Sequence, residues 1–558
     1  MSFKENAYQQ LSITDREQKA LEKSWAKVFA DELFPAIDEK RFSVLYSDKA
    51  SRPNTPINVI VGALIIKEMF DYSDVEMVEN LMLDLHLQYA LHTTSFEEQP
   101  LSDKTLCRFR KRCYDYETLH NEDLYHDCVK NLSGTIAKIM GINGRIRRMD
   151  SMMIESNIRK LSRMELLYTC ISKMVIFINK CDAEAIPEKL RHYAEPNDSN
   201  QVIYHQRSTE TDDRMQILLN DADTLLSICS PDYEETTEYE LFVRCLSEQT
   251  IVENQKRRLR TREDGTMKST ALQNPSDPEA TFRSKAGKEH RGYVTNLEES
   301  VGKIGTIVTE YAYEQNIHSD SRFLKEHLEQ MDTQKETVTI VTDGAYSGTE
   351  NTALAKEKNV NLITTSLTGR DTADIMADFE FNGEGTKVLK CPAGYQPKSC
   401  SYSASGKQCQ VSFQREQCVG CPYQDQCHPR IYKKVAKIVT SKMAHDRAVI
   451  QRTMHGDKFK NYARLRNGVE TVPSNIRENY HLDKMPRGKQ RGKFFIGCKI
   501  MALNFKKLFR YRKGLGNYAP NPVIAQIVAG IYVTIDSEYR FITTEYEFFK
   551  VLQGKREG

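Results

Sequence analysis

The chain has 558 residues, 39% hydrophobic and 28% charged, and its 79 Lys and Arg nearly balance 77 Asp and Glu, for a net charge of +2. That length suits roughly three or four domains with cores of their own, and the balance means that any nucleic-acid surface has to be local. The longest apolar runs, 57–66 and 524–535, fall short of the ~20 residues of a membrane span, and Met1-Ser2-Phe3-Lys4-Glu5 has no signal-peptide core, so the expectation is a cytoplasmic protein that uses its 14 cysteines for metal rather than disulfides.

Residues 1–140 read as a helical N-terminal domain. A helix is expected over 59–69 after Pro53 and Pro56, another near 74–81, and a basic one over 106–112 with Ser102 or Asp103 as N-cap. The clustered Arg108, Arg110, Lys111 and Arg112 suit either a DNA-contacting module or a solvated face.

The pattern changes near 145. Residues 146–153 form a strand candidate that carries Asp150, and 157–270 reads as a polar helical insert containing the basic run 256–262. Strands are expected at 293–297 and 306–313, a helix at 321–331, a buried strand at 338–342, a helix at 350–358 and a strand at 361–365. This order predicts a mixed α/β domain over 141–380 with a partly parallel sheet. Asp343 then falls at the carboxyl end of a strand, where reactive groups of such sheets sit.

Residues 381–430 hold six cysteines: Cys391, Cys400, Cys409, Cys418, Cys421 and Cys427. The spacing Cys418-Val419-Gly420-Cys421 is that of a zinc knuckle. Zinc held by Cys391, Cys418, Cys421 and Cys427 is expected, with Cys400 or Cys409 as possible replacements, and the site would be structural because four thiolates leave no open position. The last part of the α/β domain is placed at 431–515. There 459–478 reads as helical, weakened by Gly468 and Pro473, and 484–513 carries eleven Lys or Arg and no acid. Lys489, Arg491 and Lys493 are the candidates for DNA phosphates, against the alternative of a solvated face over an amphipathic core helix. A C-terminal segment, 516–558, has no chemical signature.

Three acids carry the chemistry: Asp150 in Arg148-Met149-Asp150-Ser151, Asp343 in Thr342-Asp343-Gly344, and Glu470 in Arg466-Asn467-Gly468-Val469-Glu470. Carboxylates at two strand ends and on a later helix suit a hard divalent cation and phosphodiester chemistry. In these contexts the chain resembles the DDE transposases of bacterial insertion sequences. The match runs through Met149-Asp150-Ser151, Thr342-Asp343-Gly344-Ala345-Tyr346-Ser347 and Arg466, Glu470 and Arg477. It includes Asp277-Pro278-Glu279-Ala280 with Lys285 and Gly292-Tyr293, the helical segments 55–81 and 101–112, and the cysteine-rich insert. The resemblance covers roughly 45–115, 143–160, 276–370, 388–428 and 460–510. Two positions depart: Ala463 stands where Tyr is common, and Arg477 where Lys is commoner.

The resemblance implies an α/β ribonuclease H-like catalytic domain with an α-helical N-terminal domain and a small zinc-type insert. It implies Mg²⁺ (or Mn²⁺) held by Asp150, Asp343 and Glu470, with Arg466 and Arg477 on phosphates. The implied partners are terminal-repeat and target DNA, engaged as a homodimer. The rivals are a ribonuclease H-like nuclease that cuts without joining, and a non-catalytic zinc-containing DNA-binding protein.

Overall fold

The computed structural model describes residues 14–46, 54–93, 101–204, 211–285, 287–366, 371–454, 456–468, 471–482 and 485–514. The expected third acid, Glu470, and the segment 516–558 lie outside them.

Residues up to 140 are helical, and their ends follow local chemistry. Helix α1 (Ile57–Phe70) enters after Pro56 and stops at Asp71, whose φ of 56° is left-handed. Helix α2 (Asp103–His120) begins where Ser102 accepts from the Thr105 N–H, satisfying a donor the helix cannot. Helix α3 (Leu124–Ile139) has Asp123 in the same role toward His126. The basic cluster on α2 is partly spent: Arg110 pairs with Asp74 and Arg112 lies over the Tyr46 ring, while Arg108 and Lys111 are exposed.

The central sheet is built from β1 (Ile146–Glu155), β2 (Thr281–Lys285), β3 (Lys288–Gly302), β4 (Gly305–Gln315), β5 (Val338–Thr342) and β6 (Val360–Thr364). Its order is β2-β3-β1-β5-β6, with β4 also on β3. Strands β3 and β4 run antiparallel, as do β1 and β3, whereas β1, β5 and β6 are parallel. Strand β5 is buried at every position, as expected of a strand covered on both faces. Helix α4 (Asp320–Gln330) packs beside the parallel half, where Leu324 and Leu328 meet Met149 and Ile340.

Residues 161–272 form a helical body with a core of their own around Ile171, Met174, Tyr193, Leu225 and Phe242. The basic run expected on a helix is instead one strand of a ribbon, Thr250–Glu253 against Lys256–Leu259. Asn254 and Gln255 between them take φ of 50° and 61°, the left-handed pair that closes a two-residue hairpin. Arg257 pairs with Asp223, and Arg258 with Glu253 and Asp264, so these charges have partners within the chain.

The cysteine-rich insert is a four-stranded sheet: β7 (Ser399–Ser403), β8 (Gln408–Gln414), β9 (Arg430–Ile431) and β10 (Val435–Thr440), in the order β7-β8-β10-β9. One face packs Val411, Phe413 and Ile438 against Phe379 and Val388. The chain then returns through a helix, Lys442–Met454, whose Arg452 grips Asp374 and Asp378, to α5 (Asp457–Asn467) and α6 (Thr471–Asn479).

Helix α7 spans Lys489–Arg512. It was expected to lie with the catalytic residues as a basic surface, but it runs through the largest core, between α1, α3 and β4. Gly492 and Gly497 let it approach the sheet, because a Cβ at either would stand 2.5 Å from the Tyr313 or Tyr311 ring hydroxyl. Its first turn is held by Glu279, which accepts from the Lys489 N–H at 2.9 Å. The Asp277-Pro278-Glu279 motif therefore has a structural task here: Asp277, itself buried, accepts from Tyr293 Oη at 2.6 Å and from Ser156.

Candidate active site

Strands β1 and β5 are parallel and in register, with Arg148 beside Val341. Continued two residues past that pairing, the same offset of 193 (341 − 148) places Asp343, just after the end of β5, level with Asp150 (343 − 150) in the middle of β1. Level positions on adjacent strands are about 5 Å apart and face the same side of the sheet. Gly344 turns the chain away after β5, and Asp343 caps the short turn by accepting from the Ala345 N–H at 2.9 Å.

The third member is Arg466 on α5, whose Nη2 lies 3.7 Å from Asp343 Oδ2. Asp150 is the most perturbed of these groups. Burial pushes its carboxyl up to about 6, with the like charge of Asp343 adding to it, against the opposing pull of Arg466, the Ser151 N–H and Lys285. The two carboxylates offer an all-oxygen donor set, the chemistry that suits a hard divalent ion. Among the described residues no group of three or more His, Cys, Asp or Glu is gathered tightly enough to hold a metal ion.

What holds α5 in place was not foreseen. Arg148, two residues before Asp150, is buried and donates from Nε to Glu299 at 2.6 Å and from Nη1 to the Leu465 carbonyl at 2.8 Å. That carbonyl belongs to the last turn of α5, which has no acceptor role left inside the helix. Glu299 is fully buried and also takes Thr306 at 2.6 Å and Lys507 of α7 at 3.2 Å. Gly468 closes the arrangement: its φ of −68° is ordinary for any residue, but a Cβ there would meet Arg148 Nη1 at 2.5 Å. The glycine is there for space. A further buried acid, Asp320 at the start of α4, accepts from Ser151 Oγ at 2.5 Å and was also missed.

The other expected basic residues fall differently. Arg477 is exposed on α6, next to Glu478, which accepts from Ser474 Oγ at 3.1 Å. Arg491 is exposed on α7. Lys489, however, pairs with Glu314 at 2.7 Å, and Lys493 with Asp123 at 2.7 Å and Glu117 at 3.6 Å. Lys499 and Lys507 are likewise matched, by Glu68 and Glu299. The lysines of 484–513 that looked like a phosphate surface mostly serve to bury a helix, since acids distant in sequence neutralise them.

The six cysteines sort into two groups. Cys391, Cys418, Cys421 and Cys427 line one cavity of about 20 Å³, roughly the room of a single atom or water. Burial first and then the neighbouring thiols push Cys427 up to about 11 and Cys418 in the same direction. Cys400 and Cys409 lie on adjacent strands, where Cys409 Sγ donates to the Thr386 carbonyl at 3.4 Å, and stand outside that cavity.

With this geometry in view, the comparisons are direct. A family model described as "Transposase DDE domain" matches residues 390–509, and one described as "Transposase domain (DUF772)" matches 17–112. The chain is a DDE-type DNA transposase of the insertion-sequence kind. The first match spans the cysteine insert, Arg466, Glu470 and Arg477, and the second the helical N-terminal residues. No curated protein matches this transposase. A piggyBac transposase synaptic complex with hairpin DNA is similar at 10% identity over 68% of this chain and 80% of that one, with a TM-score of 0.20, too low to carry an argument.

Proposed function

We propose that this transposase cuts the ends of its element and joins them to target DNA with Asp150, Asp343 and Glu470 as its acids. The observation that carries the reading is the pair Asp150 and Asp343, level on parallel strands beside Arg466. The sheet order, antiparallel on one side of β1 and parallel on the other, supports a ribonuclease H-like domain.

The three acids would hold Mg²⁺ or Mn²⁺, which when bound offsets charge on the attacked phosphate. The chain's own residues set the geometry: Arg148 docks α5, Arg466 faces the acids, and Arg466 and Arg477 steady phosphate oxygens by charge-assisted hydrogen bonds. A water oxygen attacks the phosphorus and the 3′-oxygen of the element leaves, taking up the proton that the water gives up; that 3′-hydroxyl then attacks a target phosphodiester, loses its proton as the new bond forms, and the target's own 3′-oxygen leaves as a hydroxyl. Cys391, Cys418, Cys421 and Cys427 would hold a structural zinc. The protein would act on terminal-repeat DNA as a homodimer.

Glu470→Gln keeps the side chain's shape and removes the charge a hard cation needs. It is expected to abolish Mg²⁺-dependent cleavage of terminal-repeat DNA while leaving gel-shift binding intact. Cleavage at the wild-type rate would remove Glu470 from the site. Cleaved product that is never joined to a target plasmid would establish the nuclease reading instead.

A further inference from the structure

The cysteine insert carries a concentration of basic charge that is mostly not spent inside this chain. Residues 387–440 contain nine Lys or Arg against two acids, Glu416 and Asp425, a net of +7 (9 − 2) in a chain whose total is +2. Among the described residues only one of the nine, Lys390, pairs with a carboxylate, Glu380 at 3.0 Å. The contrast with α7, whose lysines meet Glu314, Asp123, Glu68 and Glu299, is a contrast of kind.

The sheet register shows where this charge points. Alternation along β8 puts Cys409, Val411 and Phe413 into the insert's core, which leaves Gln408, Gln410, Ser412 and Gln414 on the other face. One row crosses all four strands on that outer face: Ser399, Ser412, Lys437 and Arg430. Lys437 and Arg430 are direct partners across β10 and β9, and like charges so placed are destabilising. The row therefore gains stability from an anion. Lys433 and Lys434, both exposed, extend the charge into the adjoining turn, and Lys437 lies 5.6 Å from the half-exposed Tyr432 ring. The outer row carries hydroxyls and cations but no carboxylate, with the amides of Gln408, Gln410 and Gln414 on the same face, a composition whose donors suit phosphate oxygens.

We propose that the outer face of the β7-β8-β10-β9 sheet binds the phosphate backbone of duplex DNA, through Arg430, Lys433, Lys434 and Lys437. This deepens the transposase reading and rests on it, and it moves the main phosphate contacts from α7, where the sequence suggested them, to the insert. The contacts are to backbone, so they supply affinity and register rather than base reading.

The test is salt-dependent binding by the full-length protein of a duplex taken from the DNA flanking its coding region. Replacing Lys433, Lys434 and Lys437 with Ala is expected to make the slope of log K against log salt shallower by about 2.7, from about 0.9 per lost phosphate contact. Over a fourfold rise in salt that is about 40-fold less affinity loss than wild type shows. Lys433→Glu with Lys434→Glu, both in an exposed turn, should weaken binding further at low salt with an unchanged melting temperature. Unchanged slopes in both variants would overturn the proposal, as would retained duplex binding with lost binding of a single-stranded RNA of equal length. Asp150→Asn separates the two levels. If it cleaves like wild type, the catalytic reading fails; if it is inactive while the lysine variants keep the wild-type slope, only the insert assignment fails.

Discussion

Gly468→Ala sets two effects of opposite sign against each other. Gly468 has helical φ and ψ at the end of α5, where Ala is better than Gly by about 1 kcal/mol, so propensity alone predicts a more stable protein. The added Cβ, however, would stand 2.5 Å from Arg148 Nη1. The guanidinium has little freedom to retreat, because Nε and Nη2 are tied to Glu299 and the group is buried. The expected result is loss of the Nη1 bond to Leu465, worth about 1.5–3 kcal/mol for a charged donor, which outweighs the propensity gain by roughly 0.5–2 kcal/mol. Catalysis should suffer more than stability. Arg466 rides on the same turn, and a misplacement of about 1 Å near the chemistry costs on the order of 10²-fold. Thermal melting and single-turnover cleavage of terminal-repeat DNA measure the two effects. Adding Arg148→Lys, which removes the branched end that clashes, should restore part of the lost rate. A Gly468→Ala protein that melts higher than wild type and cleaves as fast would refute the clamp.

Three further outcomes are expected. Burial alone would raise the Glu310 carboxyl, but His126 and Lys130 outweigh it and hold it at about 2, so its contribution, on the order of 3 kcal/mol, is present above the unfolded value near 4.3 and lost as pH falls toward 2. Glu310→Gln should therefore flatten the acid limb of a stability–pH curve between about pH 5 and 2, and an unchanged limb would exclude the pair. Purified protein should contain about one zinc per chain, lost in Cys418→Ser but kept in Cys400→Ser, since only the former lines the four-thiol cavity; equal zinc in both would break that sorting. Lys493→Ala should cost roughly 1–3 kcal/mol by stranding Asp123 and Glu117 yet leave the salt slope of DNA binding unchanged, checked by urea melts and anisotropy.

Much of the sheet was legible because its strands carry their own signal. The run Val338–Thr342 is apolar and is followed by Asp-Gly, and the cap at Ser102 is local chemistry read within three residues. Asp343 could be read as a strand-end acid because it directly follows such a strand, whereas β1 runs on to Glu155, five residues past Asp150. The Arg148–Glu299 pair was hidden, since it exists only once β1 and β3 are aligned, and the partners are 151 positions apart (299 − 148). Helix α7 was misjudged for the same reason: an acid-free basic stretch looks like a solvated face until Asp123, Glu68 and Glu314 arrive from elsewhere. The ribbon at 250–259 read as helix because its turn is Asn-Gln rather than a glycine pair. Nothing local marks the bond between Asp320 and Ser151, which are 169 positions apart.

The central claim is that Asp150 and Asp343 act as one catalytic pair. Single-turnover cleavage of terminal-repeat DNA by Asp150→Asn, Asp343→Asn and the double variant, at saturating Mg²⁺, tests it most directly. Groups that act as a unit are not additive, so either single change should abolish cleavage as completely as both together, with DNA binding retained. Full cleavage by either single variant, or losses that multiply in the double variant as for independent residues, would contradict the account.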